Sequence, residues 1–328
     1  MKKILVTGGC GFIGSHFIRY MLDQYPDLDI VNFDKRTYAG VNLVDFKHRG
    51  YEFVLGSIDN FQLVIDVIDG YKIDTIVNFA AESDNNKAVQ SPLDFVHTNI
   101  VGTAVLLEAA RLKNLGRFHH ISTCEVYGEL ELESADKFTE KSKYDPRTPY
   151  NASKAAADHI VRSYYRTFNL PITISNCCNN YGSHQHPEKV IPNFITHTLQ
   201  GKPMPVMASK HNKREWIHVS DHCRAIDLIL HSGRIGETYN VGTGFEVSIE
   251  QLASLIIVYS LVFDSSIKIV PDRPGHDKRY LLDSIKITSE LGWQPKIEFF
   301  NGLADTINWY HNNSTWWEPL LASSHSKY

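Results

Sequence analysis

Short apolar runs broken by glycine alternate with amphipathic stretches through the first half of the chain. KILVTGG, from residue 3, predicts a strand that enters a glycine turn, and residues 15–25 predict a helix stopping near Pro26. DIVNFD (29–34), YEFVLGS (51–57) and DTIVNFAA (74–81) predict the next strands. NIVGTAVLLEAARLKN (99–114) carries apolar residues at helical spacing, RFHHIST (117–123) reads as a strand, YNASKAAADHIVRSYYRTF (150–168) as an alanine-rich helix, and PITISNCC (171–178) as a strand. Nearly continuous apolar strands that alternate with helices predict a doubly wound, parallel α/β sheet of Rossmann type, with helices on both faces.

The pattern loosens after residue 183. HQHPEKVIPNF, GKPMPV and PDRPGHDKRY mix proline, histidine and basic residues and predict a smaller, loop-rich, substrate-capturing region. REWIHVSDHCRAIDLIL (214–230) reads as a strand and a helix that return to the main sheet. The expected division is a nucleotide-binding unit over 1–183, with returns near 214–242 and 283–290, and a capture unit over most of 184–328. The start reads as a first strand and not as a signal peptide. The greasiest stretch, LIIVYSLVF (255–263), is too short to cross a bilayer.

Composition narrows the partners. Lysine plus arginine total 33 against 37 aspartate plus glutamate, so the charge balance gives no footprint for nucleic acid. Five cysteines, an odd number without a CxxC pair, fit a reducing, cytoplasmic compartment. The 16 histidines are scattered, and His184 with His186 lacks the further ligands a metal needs.

TGGCGFIGSH places Gly8, Gly9, Gly11 and Gly14 between a strand and a helix. Glycine lets the backbone approach a pyrophosphate, and the helix start offers N–H groups to it. Asp34 ends the second strand, where a carboxylate accepts from both ribose hydroxyls and repels a 2′-phosphate, which favours NAD over NADP. Lys35 and Arg36 pull the other way, since either could hold that phosphate.

Tyr150 and Lys154 stand four apart at a helix start and share one face. A lysine cation and a positive nicotinamide would stabilise the phenolate and make Tyr150 a base for a substrate hydroxyl. Thr123 ends a strand, the usual place for a ligand-facing hydroxyl in such a sheet. Glu125, two residues on, points the same way if the strand continues, and a carboxylate there could take a proton from carbon.

These segments, with FDKRTYAG, FAAES, TNIVGT, STCEVYGE, PYNASKAAAD, NNYG, PEKVIP and RPGHDKRY, resemble the nucleotide-sugar 4,6-dehydratases of the extended short-chain dehydrogenase/reductase family. The likeness runs from residue 3 to about 293. It implies an enzyme with tightly bound NAD, acting on a nucleoside-diphosphate glucose (dTDP-glucose or UDP-glucose), as a homodimer joined through two helices of the sheet unit. It implies an internal redox cycle. Tyr150 deprotonates the C4 hydroxyl as NAD takes the C4 hydride, Glu125 removes the acidified C5 proton, water leaves from C6, and the hydride returns to C6.

For the cofactor the resemblance implies Gly8, Gly11, Phe12, Ile13 and Gly14 in the first turn. It adds Asp34, Lys35, Thr37, Ser57 and Ile58 beyond the second and third strands, Phe79, Ala80, Ala81 and Ser83 beyond the fourth, and Thr98, Tyr150, Lys154 and Asn180. For the nucleotide sugar it implies Ser83, Thr123, Asn179, Lys189, Val190 and Pro205, then Met207, Arg214, Asn240, Arg273 and His276. Cys124 stands where family members acting on dTDP-glucose carry an aspartate that protonates the leaving oxygen. A thiol, largely protonated at neutral pH, is expected to take over that role, with a buried inert cysteine as the other reading. Asp84, Asn86 and Lys87 depart from the usual histidine, aspartate and arginine. A UDP-sugar decarboxylase or 4-epimerase, and a degenerate NAD-binding sensor or scaffold, remain the alternatives.

Overall fold

The computed structural model describes residues 1–43, 46–262 and 266–325. Phe263, which ends the apolar run above, and the last three residues of the 184–328 segment lie outside the described residues.

The strands are β1 (Lys3–Thr7), β2 (Asp29–Asp34), β3 (Tyr51–Leu55), β4 (Thr75–Asn78), β5 (Arg117–Thr123), β6 (Ile172–Cys177), β7 (Asn179–Tyr181), β8 (Met204–Met207), β9 (Lys213–His218), β10 (Thr238–Val241), β11 (Glu246–Ser248) and β12 (Ile267–Val270). Seven of them form one sheet in the order β10-β6-β5-β4-β1-β2-β3, with every pairing parallel. Alternation within the strands separates the two faces. Leu5 buries its side chain with helices Phe61–Tyr71, Thr103–Leu112 and Pro149–Phe168, while Ile4 and Val6 bury theirs with helices Phe12–Gln24 and Val219–Ser232. Strand order reverses between β1 and β4, and the diverging loops beyond these two strands open a crevice at the carboxyl ends.

A second apolar core lies beneath the three-stranded sheet β11-β9-β7 and the two-stranded sheet β12-β8, with helices Val190–Leu199, Ile249–Ser260 and Phe299–Asn312. The segment 214–230 splits between the two cores. Its strand, β9, pairs with β7 and β11 and not with the main sheet. Its helix packs on Phe12–Gln24, and β10 makes the return to the sheet beside β6.

Three elements differ most from their expected bounds. The first helix starts at Phe12, because the glycines that weaken its helical signal sit in its cap and first turn. The fourth strand stops at Asn78, so Phe79 to Ser83 leave the sheet as cavity wall. The helix read over 99–114 opens with a wide turn, Val96–Gly102, before regular helix at Thr103–Leu112. Such an extra-residue turn often marks a functional edge. Here Asn99 bonds Glu82 through both backbone groups, at 2.9 and 3.0 Å, and reaches Ser153 at 2.8 Å.

Candidate active site

The crevice is a cavity of about 620 Å³, within the range of small-molecule sites. One end is built by the glycine turn. Gly8 has φ +71°, and a Cβ there would stand 2.6 Å from the Ala80 nitrogen. A Cβ on Gly14 would stand 2.5 Å from the Gly8 oxygen, so both positions require glycine for close packing. Gly11, Phe12 and Ile13 line the same wall, which faces Phe79, Ala80 and Ala81 in the loop after β4.

Asp34 stands at the end of β2, buried, and accepts from the Cys10 N–H at 2.9 Å and the Arg36 N–H at 2.7 Å. Burial raises its pKa, and these N–H groups and the nearby cations oppose the rise. The two cations beside it are engaged. Lys35 meets Glu82 at 3.2 Å and Thr98 at 3.2 Å, and the Arg36 guanidinium lies over the Phe53 ring at 4.1 Å. Thr37 and Ile58 line the cavity here. Ser57 does not, because the chain turns after Gly56 and the Ser57 carbonyl receives the Asn60 N–H at 3.1 Å.

The chemical centre lies where β5 meets helix Pro149–Phe168. The strand ends at Thr123, and Cys124–Tyr127 form one 3₁₀ turn whose Glu125 N–H is capped by the Thr123 hydroxyl at 3.3 Å. Glu125 therefore lines the cavity through the turn, and not through continued strand alternation. The same turn sends Cys124 inward, 1% exposed, into a cluster with Val126, Tyr127, Cys177 and Cys178. This differs from the expectation of a thiol facing the sugar: among the described residues Cys124 is not part of the cavity wall.

Thr148 caps the helix, accepting the Asn151 N–H at 3.1 Å, with Pro149 in the first turn. Tyr150 and Thr123 line the same cavity, and Lys154 donates to the Ile121 carbonyl at 2.6 Å. Burial pushes the Tyr150 phenol well up, with the charge of Glu125 adding to the rise. Burial brings the Lys154 ammonium down to about 8, against a smaller opposing pull from Asp158. Glu125 is raised by burial, while Arg273 opposes.

The other end of the cavity is lined by Ser83, Asn179, Asn180, Lys189 and Val190, and by Pro205 and Met207 on β8. Lys189 donates to the Ser83 carbonyl at 2.9 Å. Arg214 is buried and spends N–H groups on the carbonyls of Lys213, Asp277 and Lys278, which ties the 273–280 loop to β9. Arg273 lines the cavity with its Nε–H unpartnered among the described residues, suited to an anion. His276 is held by Ser209 at 2.9 Å, and burial lowers its pKa to about 3. Asn240, expected at the nucleotide sugar, is instead fully buried within β10, accepting from Tyr127 at 2.8 Å and donating to the Phe138 carbonyl at 2.9 Å, away from the cavity.

Sequence reading missed Asn85, Glu188, Trp216 and Tyr280, all of which line the cavity. Asn85 donates to Glu125 at 3.2 Å. No periodicity or motif reports a contact between residues forty apart; only its place in the loop after a strand end hinted at it.

The family model described as GDP-mannose 4,6 dehydratase matches residues 5–306. A dTDP-glucose 4,6-dehydratase of Streptomyces niveus is 46% identical over 97% of this chain and 95% of its own. The structure of dTDP-glucose 4,6-dehydratase from Bacillus anthracis in complex with NAD aligns with a TM-score of 0.91 at 42% identity, covering 98% of this chain and 100% of that one. The enzyme of that name from Streptomyces venezuelae, with NAD bound, aligns with a TM-score of 0.92 at 43% identity, covering 97% and 99%. With the glycine turn, the Tyr150–Lys154 helix and the Glu125 carboxylate on one cavity, the chain belongs to the nucleotide-sugar 4,6-dehydratases of the extended short-chain dehydrogenase/reductase family.

Proposed function

We propose that the chain dehydrates dTDP-glucose to its 4-keto-6-deoxy sugar with tightly bound NAD. The observation that carries this is the convergence of Tyr150, Thr123 and Glu125 on one stretch of cavity wall: a phenol for a hydroxyl proton beside a carboxylate for a carbon proton. The glycine cradle and the buried Asp34 fit a dinucleotide, and Gly8 to Gly14, Asp34 and Thr98 would hold it. NAD, when bound, supplies the acceptor for the C4 hydride and the donor that returns it to C6. Every other step belongs to side chains.

Thr123 holds the C4 oxygen and Tyr150 takes its proton. Lys154, whose ammonium is fixed by the Ile121 carbonyl, supplies the positive field that favours phenolate. Once C4 is a ketone, Glu125 takes the C5 proton. Its burial-raised pKa suits a group that receives one proton and gives one up. The C5–H and C6–O bonds break, the C5=C6 bond forms, and the proton held by Glu125 leaves with the C6 oxygen as water; when C6 is reduced, a solvent-derived proton restores the C5–H bond. Arg273 and Lys189 provide cations for the diphosphate.

An epimerase needs no carboxylate for carbon. Product masses separate the classes: loss of water for a dehydratase, of carbon dioxide for a decarboxylase, no change for an epimerase. Incubation with dTDP-glucose deuterated at C4 is expected to give a dehydrated product labelled in its C6 methyl group. Absence of product from dTDP-glucose and UDP-glucose alike, with NAD bound, would leave a sensor or scaffold.

The two cores support a division into a nucleotide-binding unit over 1–183, with β10 and helix Ile285–Leu291 returning to it, and a sugar-capturing unit beyond. Leu93, Val96, Val101 and Leu112 expose apolar side chains along one helical run, and Phe168 ends the neighbouring helix equally exposed. That face fits a homodimer, which light scattering would register as twice the chain mass. All five cysteines are free and buried, consistent with a reducing, cytoplasmic setting.

A further inference from the structure

A directed chain of hydrogen bonds runs from the cap of the Tyr150 helix to Glu125. The Thr148 hydroxyl accepts the Asn151 N–H at 3.1 Å, so its own hydrogen is left to donate. It donates to Asn85 Oδ1 at 2.8 Å. That bond fixes which end of the amide is which, and turns Nδ2 toward Glu125, where it donates to Oε2 at 3.2 Å. Asn85 is itself fixed by its backbone. It opens helix Asn85–Gln90, and Asp84 caps that helix by accepting the Asn86 N–H at 2.8 Å.

We infer that Asn85 is a positioning residue that sets the orientation and the ionisation of Glu125 by donating to one of its carboxylate oxygens from an amide whose sense Thr148 dictates. The same two bonds join the element bearing Tyr150 and Lys154 to the carboxylate, so the base for oxygen and the base for carbon keep a fixed separation. A donor to the charged form favours that form. The other charged or titratable groups around Glu125 are Arg273 and Arg214, which favour the carboxylate, Asp277, which opposes it, Tyr280, Cys124 and Cys177, which burial keeps neutral, and Tyr150, whose phenolate form would oppose it. Arg214 is committed to three backbone carbonyls, so Asn85 provides a close, directed donor that Arg214 does not.

The role in turnover rests on the dehydratase reading, whereas the ionisation of Glu125 can be read without it. The test uses holoenzyme in which Asn85→Leu removes the donor and Asn85→Asp places a like charge beside the carboxylate. Infrared difference titration, with Glu125→Gln to assign the band, follows the Glu125 carboxyl directly. Asn85→Leu is expected to move its midpoint up by about one pH unit, about tenfold in proton affinity, and Asn85→Asp further. With dTDP-glucose, solvent deuterium uptake at C5 is expected to fall about tenfold on the acid side and to recover as the pH rises, because the base then ionises again. A purely structural amide would lower the melting temperature and leave the midpoint where it was. An unchanged midpoint in both variants overturns the inference, and if Asn85→Leu does not fold, Asn85→Asp decides alone. A shifted midpoint in protein that never dehydrates either nucleotide sugar would remove the proposed reaction and leave the positioning role standing.

Discussion

Cys124 follows the last residue of β5 and starts the turn that carries Glu125 into the cavity, so the two side chains part company within one residue. Its thiol sits among Val126, Tyr127, Cys177 and Cys178, and burial raises its pKa well above the ordinary thiol range. A donor needs reach to the leaving oxygen before its acidity matters. Loss of a general acid costs about a hundredfold or more. Cys124→Ala is therefore expected to keep the elimination step within about threefold of the parent in single-turnover assays. Cys124→Asp is expected to lose stability without gaining rate, since a carboxylate in that cluster would be desolvated. A hundredfold slower elimination in Cys124→Ala would assign the thiol to the leaving group after all. The family resemblance raised the question at position 124, and the turn that follows the strand end answers it; a single 3₁₀ turn is too short to leave a period in the hydrophobic pattern.

Three loops meet beside the cavity, one after β2, one after β4 and one after β7. Tyr38 from the first donates to Glu188 in the third at 2.9 Å, Asn42 reaches the His184 carbonyl at 3.2 Å, and Lys189 donates to the Ser83 carbonyl in the second at 2.9 Å. Each bond spans more than a hundred residues of chain, so the loops clasp one another. A cycle that borrows and returns a hydride within one turnover needs the dinucleotide to stay in place throughout. Tyr38→Phe removes a bond to a carboxylate, a contribution of about 1–3 kcal/mol, and is expected to speed NAD release by about tenfold. NAD retained after gel filtration measures this, and retention equal to the parent would mean the clasp does not hold the cofactor. At this scale much was legible in the sequence. Apolar runs and glycine turns locate the sheet, because alternation and breakers are local signals. The wide turn at Val96–Gly102, the inward placement of Asn240 and the Asn85–Glu125 bond were not, because each is decided by partners far away in the chain.

Across the whole molecule one buried carboxylate joins the seven-stranded sheet to the three-stranded one. Glu215 on β9 accepts from the Gly244 N–H at 2.6 Å, just beyond β10, and from the Leu282 N–H at 2.9 Å, with the Thr243 backbone contributing as well. It thereby joins the small sheet, the end of the main sheet and the segment leading to helix Ile285–Leu291. Burial lifts its pKa to about 7, against the opposing pull of those N–H groups. The folded chain therefore holds the Glu215 proton more tightly than the unfolded chain does. The resulting stabilisation is complete below the unfolded carboxyl pKa and is lost as the pH rises through about 7. At 1.36 kcal/mol per unit, the difference between the two pKa values corresponds to about 3 kcal/mol. Glu215→Gln removes this dependence, and because an amide offers one acceptor in place of two oxygens it leaves a buried N–H unpaired, at about 1–3 kcal/mol. The variant is expected to be less stable than the parent at pH 5, with the gap narrowing toward pH 8 as the parent, and not the variant, loses its share. Urea unfolding at both pH values reads the gap. A gap that stays constant would mean that Glu215 remains charged throughout and that its backbone bonds outweigh its burial.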